Sequence, residues 1–156
     1  MLAPKSLMLD TNIWIGYLLA EPPHGEVILK LIDSALEHNI TLIYAPTTLK
    51  DVFFIVPRRM RADDNNEAGK ASYAPAAWAC IRKITEIAVA APQALAECEL
   101  AWMLRNTHGD LEDNLVIAAA ETCNADYVVT YDKQMLERFA PACITPEQAL
   151  KLLEMV

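Results

Sequence analysis

The chain has 156 residues, 54% of them hydrophobic and 22% charged, with a formal net charge of −8. This is a globular composition with enough apolar material for a core, and it excludes disorder along the whole chain. The longest apolar runs, such as LVIAAA at 115–120, fall far short of the roughly 18–20 residues that cross a bilayer. The negative balance also argues against nucleic-acid binding by bulk electrostatics alone.

Residues 6–10, SLMLD, form an apolar run closed by an acid, as in a strand buried on both faces. MLAPKSLMLD meets that acid too early for a signal peptide, so a cytoplasmic location is expected. TNIWIGYLLA has helical spacing and stops at Pro22-Pro23. HGEVILKLIDSALEHN is a second helix, ended by Asn39. ITLIYAP is a second buried strand. PTTLKDVFFIV opens a helix capped by Thr47 or Thr48, and Pro57 is expected to kink or end it before the basic PRRMR. ADDNNEAGKASYA at 62–74 has no apolar period and predicts a mobile loop.

PAAWACIRKITEIAV is a helix, and AVAAP after it is a weak strand candidate because alanine disfavours strands. PQALAECELAWML is a helix opened by Pro92. LEDNLVIAAAETCN is a strongly apolar helix capped from Asp110 and closed by Asn124. ADYVVTYD is a third buried strand ending in an acid, KQMLERFA a short helix and ACI a last strand. TPEQALKLLEMV begins with a capping box, Thr145 with Gln148, and Pro146 at the first helical position. The expected fold is one α/β domain over 1–156, with a mainly parallel sheet of four to five short strands between helix layers.

Charge is unevenly spread. Between Lys50 and Lys83 seven basic residues face four acids, so that stretch is +3 and the remainder −11. A basic zone beside an acidic remainder suits a polyanion and a cation in one domain, although charge alone equally fits a solvated helix. Four well-separated cysteines without a C-x-x-C pair read as reduced core thiols. His24, His38 and His108 lack metal-ligand spacing and read as surface or capping residues. Trp14, Trp78 and Trp102 read as core or interface packing residues rather than base-stacking ones. No phosphate-cradling glycine motif occurs.

The chemistry is suggested by where acids fall. Asp10 ends the first strand, Asp51 lies early in the helix after the second, Asp110 and Asp113 open the apolar helix, and Asp132 follows the third strand. In open parallel sheets functional groups gather beyond the carboxyl ends of strands and at the helix starts facing them. Converging carboxylates repel unless a hard cation separates them, and an all-oxygen cluster suits Mg²⁺ or Mn²⁺. Each acid also has a plainer role: Asp110 and Asp113 as cap and first-turn residue, Asp132 as a cap, Asp51 as a surface acid. Asp10 is the exception, since an acid after a buried strand does nothing for the strand. Thr11 and Asn12 are expected to orient it through hydrogen bonds.

LDTNIW at 9–14, the acid at Asp51, and GDLEDNLVIAAAETCNADYVVTYDKQML at 109–136 together resemble the PIN domain family of metal-dependent ribonucleases. The resemblance runs from about residue 7 to the C-terminus. It implies that Asp10, Asp113 and Asp132 bind metal, with Asp110 as an additional acid. Asn12 and Thr130 would support them. Asp51 falls where the family usually carries glutamate, one methylene longer, so a water would bridge from it. The implied reaction is hydrolysis of an RNA phosphodiester: Mg²⁺ or Mn²⁺ activates water for in-line attack, leaving 5′-phosphate and 3′-hydroxyl ends. Arg58, Arg59 and Arg61 are expected near the cleft on RNA phosphates. Many bacterial members are toxins restrained by an antitoxin protein. That partner, and a homodimer, are left open. The alternative is a PIN-like module that binds RNA or protein without cleaving. A haloacid-dehalogenase-like phosphatase needs an acid where Asn12 stands. A receiver domain needs its acceptor at a strand end, whereas Asp51 follows PTTLK.

Overall fold

The computed structural model describes residues 4–63 and 73–154. The elements run β1 (Ser6–Leu9), α1 (Thr11–Leu19), α2 (Gly25–Glu37), β2 (Thr41–Tyr44), α3 (Pro46–Asp63), α4 (Tyr73–Ile87), β3 (Val89–Ala90), α5 (Leu95–Leu104), α6 (Leu111–Thr122), β4 (Tyr127–Val129), α7 (Lys133–Arg138), β5 (Cys143–Ile144) and α8 (Pro146–Leu153). The five strands form an all-parallel sheet in the order β3-β2-β1-β4-β5. The fold is α/β, as the pattern of short apolar strands between helices predicts.

β1 is the central strand. Its side chains alternate between two cores, because successive residues of a strand point to opposite faces. Leu7 and Leu9 join Ile13, Trp14, Leu31 and Ile32 on one face, while Met8 joins Ile43, Val116, Ala119 and Val128 on the other. The chain builds the sheet outward from β1 in one direction and then crosses to β4 on its other side. Strand order therefore reverses between β1 and β4, which opens a crevice beyond their carboxyl ends. Asp10 follows β1 directly, and Asp132 follows β4 after two residues.

Most helix ends follow the expected chemistry, but α3 begins at Pro46, so Thr47 and Thr48 lie inside it and neither is its cap. Asn39 (φ 55°) and Asn124 (φ 53°) take the left-handed conformation after α2 and α6, which asparagine tolerates better than most residues. Thr145 Oγ1 accepts the Gln148 N–H at 3.3 Å, and Gln148 Oε1 accepts the Thr145 N–H at 2.8 Å, closing the capping box of α8.

Several expectations change. Pro57 does not end its helix: α3 runs on to Asp63, with Val52 and Val56 fully buried on its inner face. Burial of that face outweighs the one hydrogen bond a proline removes. The expected loop at 62–74 is bounded by α3 and by α4, which opens at a buried Tyr73; 64–72 lie outside the described residues. α5 begins at Leu95 rather than at Pro92, with the Glu97 carboxylate accepting the Ala94 N–H at 2.7 Å. Trp14 is buried, but Trp78 and Trp102 are 63% exposed. The cysteines are free, with Cys143 buried and Cys98 exposed rather than in the core.

Candidate active site

The crevice between β1 and β4 is a cavity of about 480 Å³. Its wall carries Asp10, Asp110, Glu112, Asp113 and Asp132, with Glu21 and Arg59 and the apolar Ile15, Ile28 and Ile55. Asp110, Glu112 and Asp113 come from the start of α6, Asp132 from the start of α7 and Asp10 from the end of β1, so the acids arrive from three separate places in the chain.

Asp10 is 5% exposed and the most firmly held. Its Oδ1 accepts the Thr11 N–H at 2.7 Å, and its Oδ2 accepts from Asn12 Nδ2 at 2.6 Å and Thr130 Oγ1 at 2.7 Å. Asn12 Oδ1 in turn accepts the Tyr131 N–H at 3.2 Å, and Thr130 Oγ1 accepts the Asp132 N–H at 2.9 Å. The network ties the end of β1 to the end of β4. Thr11 takes part through its backbone rather than its hydroxyl, which lies 3.0 Å from Thr48 Oγ1. Burial raises the Asp10 carboxyl to about 6; the Thr130 and Thr11 hydrogen bonds oppose that rise, and the Asp113 and Asp132 charges add to it.

Asp110 and Asp132 are helix caps as well as wall residues. Asp110 Oδ1 accepts the N–H groups of Glu112 (2.9 Å) and Asp113 (3.1 Å), and Asp132 Oδ1 accepts that of Met135 (2.9 Å). Asp113 Oδ2 lies 2.7 Å from Nε2 of His108, which is 3% exposed. His108 is thus a buried partner of an acid, not a surface or capping residue. Burial raises the Asp113 carboxyl; the His108 hydrogen bond works against it, and the Asp110 and Asp132 charges reinforce it.

Asp51 does not line the cavity. Its carboxyl meets that of Glu112, which does. Lys50 Nζ lies 3.2 Å from Asp51 Oδ1, while the buried Oδ2 has no hydrogen-bond partner among the described residues. The contact with Asp51, together with burial, pushes the Glu112 carboxyl up to about 7. Glu112 is the wall residue that sequence reasoning missed. Between two acids at a helix start it looks like dipole compensation.

Among the described residues no three acid, histidine or cysteine side chains stand close enough to enclose an ion as they are. Asp10, Asp110, Asp113 and Asp132 instead take donors within the fold: Asn12 and Thr130, helix N-termini, and His108. The donor set nevertheless fits a hard divalent cation. The side chains that converge on the wall are carboxylates without thiolates, the oxygen-rich set that a hard cation takes.

Among the three arginines, Arg59 lines the cavity and pairs with Glu21 at 2.8 Å, and Arg58 is exposed but outside the wall. The Arg61 side chain lies outside the described residues. His24 stacks on Tyr131 at the rim, ring centroids 4.1 Å apart.

The PIN domain family model matches residues 6–134. The chain belongs to the PIN domain family. None of the curated proteins matches it. Among solved structures, this PIN domain is similar to PAE2754 from Pyrobaculum aerophilum, with 16% identity, a TM-score of 0.66 and coverage of 97% of this chain and 96% of that one. It is also similar to VapBC-1 from nontypeable Haemophilus influenzae, with 18% identity, a TM-score of 0.61 and coverage of 91% and 98%. A third is the sarcin-ricin loop cleaving toxin VapC20 from Mycobacterium tuberculosis, with 17% identity, a TM-score of 0.62 and coverage of 88% and 96%. At these identities the likeness is one of fold. Among the described residues no helix is long and apolar enough to cross a membrane.

Proposed function

We propose that this PIN domain is a divalent-metal-dependent endoribonuclease and the toxin of a toxin–antitoxin pair. The observation that carries the enzymatic part is the arrival of Asp10, Asp113 and Asp132 from separate elements on one cavity wall. Asp10, Asp113 and Asp132 would hold Mg²⁺ or Mn²⁺, with Asp110 beside them. Glu112 supplies the carboxylate that the short Asp51 does not bring to the wall. The bound ion would supply water of lowered pKa and charge stabilisation at the leaving oxygen. Asn12, Thr130 and the Thr11 N–H hold the Asp10 carboxylate in one orientation. Arg59, which lines the cavity paired with Glu21, would take an RNA phosphate in exchange for that pair.

The toxin part draws on two neighbours, the VapBC-1 protein and a toxin–antitoxin complex from Klebsiella pneumoniae, which is 17% identical with a TM-score of 0.58 over 90% of this chain and 97% of that one. A small protein antitoxin is the partner this reading requires.

A second reading is a binding module that keeps the acidic pocket without cleaving. It draws on Asp51, too short for the wall, and on the capping roles of Asp110 and Asp132. Incubating the protein with single-stranded RNA, with and without Mn²⁺, separates the two. Ion-dependent cleavage to 5′-phosphate ends supports the nuclease. Stable RNA under both conditions, for the wild type and for Asp51→Glu alike, supports the binding module.

A further inference from the structure

The site as described accounts for Asp10 through three donors, but not for the orientation of Asp113. Among the described residues that acid has one side-chain partner, the Nε2 of His108 at 2.7 Å. The other ring nitrogen of His108, Nδ1, lies 3.3 Å from Nη1 of Arg138. A guanidinium can only donate, so Nδ1 must accept. The ring hydrogen is then left on Nε2, facing the carboxylate. Arg138 thus selects the tautomer that allows His108 to donate to Asp113.

The ring is fixed in other ways too. Its residue is 3% exposed, Phe139 meets it edge-on with centroids 5.7 Å apart, and its backbone carbonyl accepts from Asn114 Nδ2 at 2.8 Å. Arg138 Nη1 also donates to the Thr107 carbonyl at 3.0 Å, which pins the segment carrying His108 to the end of α7. Asp132 caps the start of that same helix. One six-residue helix therefore braces two acids of the wall, one at each end.

We infer that His108 and Arg138 are positioning residues that fix the Asp113 carboxylate for cation binding, an inference that rests on the proposed nuclease reading. Neither side chain need touch RNA or the ion. Histidine in this role resembles the outer partners of metal ligands, whose loss typically weakens binding about ten- to a hundredfold.

The test is Mn²⁺ binding by the intact protein, read from the electron paramagnetic resonance signal of the free ion without any RNA. Wild type is expected to bind. If it does not, the nuclease reading fails and this inference with it. Given wild-type binding, His108→Leu should weaken it about ten- to a hundredfold, whereas His108→Gln, whose amide can still donate to Asp113, should stay near wild type. Arg138→Leu should also weaken it, by a smaller factor, because His108 remains but its tautomer is no longer selected. If His108→Leu fails to fold, His108→Gln and Arg138→Leu carry the test alone. Wild-type affinity in Arg138→Leu overturns the relay. So does a loss in His108→Gln as large as that in His108→Leu, because space-filling rather than donation would then be what matters.

Discussion

Two sides of the acidic cavity are built on opposite principles. On the Asp10 side, three donors converge on one buried carboxylate, and every donor is itself anchored by the ends of β1 and β4. On the Glu112 side, two carboxyls face each other, and among the described residues nothing donates to Asp51 Oδ2. The first side keeps its geometry without a cation. On the second, Lys50 offsets one of the two carboxyl charges, and the other is left to a proton or a bound cation. The contrast shows how such a site can be both preorganised and open: rigidity comes from the strand ends, and the demand for an ion comes from the helix faces.

The largest effects should come from the rigid side and its nearest neighbour. Asp10→Asn and Asp113→Asn remove a ligand charge while nearly preserving shape. RNA cleavage and Mn²⁺ affinity are each expected to fall by more than about a hundredfold, beyond the range of an outer partner. Asp113→Asn keeps an oxygen for His108 and relieves repulsion from Asp110 and Asp132, so its metal-free melting temperature should hold or rise. Unfolding of Asp10→Asn would make that acid structural and dissolve the contrast.

A pH titration comes next. The Asp10 carboxyl titrates at about 6 in the folded protein against an ordinary 3.8. The folded state therefore binds its proton more tightly than the unfolded state does. That contribution is fully present below the ordinary value and is lost as pH rises through about 6. Metal-free stability should fall by up to about 3 kcal/mol over that window, as read by denaturant unfolding. Mn²⁺ affinity should rise across it and on through about 7, where Glu112 gives up its proton. A flat stability profile from pH 4 to 7 would contradict the burial of Asp10.

The Glu112 side is probed more gently. Glu112→Gln should weaken Mn²⁺ binding about tenfold, in the range of a supporting ligand. Asp51→Glu restores the length the family usually has, and should preserve or raise cleavage with Mn²⁺. If Glu112→Gln binds as wild type does, the cavity has one working side and not two.

The smallest effect is expected at the rim. Arg59→Glu should weaken RNA binding and lower its salt slope by about 0.7, the change for one phosphate contact on a single strand. Arg58→Glu, exposed but off the wall, should change it less. Equal effects would mean that the basic zone acts as a diffuse field.

The difference between the two sides also explains what could be read from sequence. Asp10 was legible because an acid straight after SLML, followed by Thr-Asn, has no use in a strand. Asp113 and Asp132 were legible by their place at a helix start and a strand end. The parallel sheet followed from short, wholly apolar strands between amphipathic helices. Glu112 was not legible: an acid in a first turn stabilises its own helix, and only the tertiary fold shows it facing Asp51. His108 was hidden because its partner Arg138 lies 30 residues away, and no local spacing signals that contact. Pro57 does not end its helix because its local cost is outweighed by burial of Val52 and Val56. β3 was faint because Val89 and Ala90 form a strand only by pairing with Ile43 and Tyr44.

The central claim is that the wall shared by Asp10, Asp113 and Asp132 holds a divalent ion. Anomalous X-ray scattering from crystals soaked in Mn²⁺ tests it most directly. The account predicts an anomalous peak between the Asp10 and Asp113 carboxylates, with His108 still hydrogen-bonded to Asp113, and its disappearance in Asp113→Asn. A fully soaked wild-type crystal with no peak in this cavity, or with its only peak elsewhere on the surface, would contradict it.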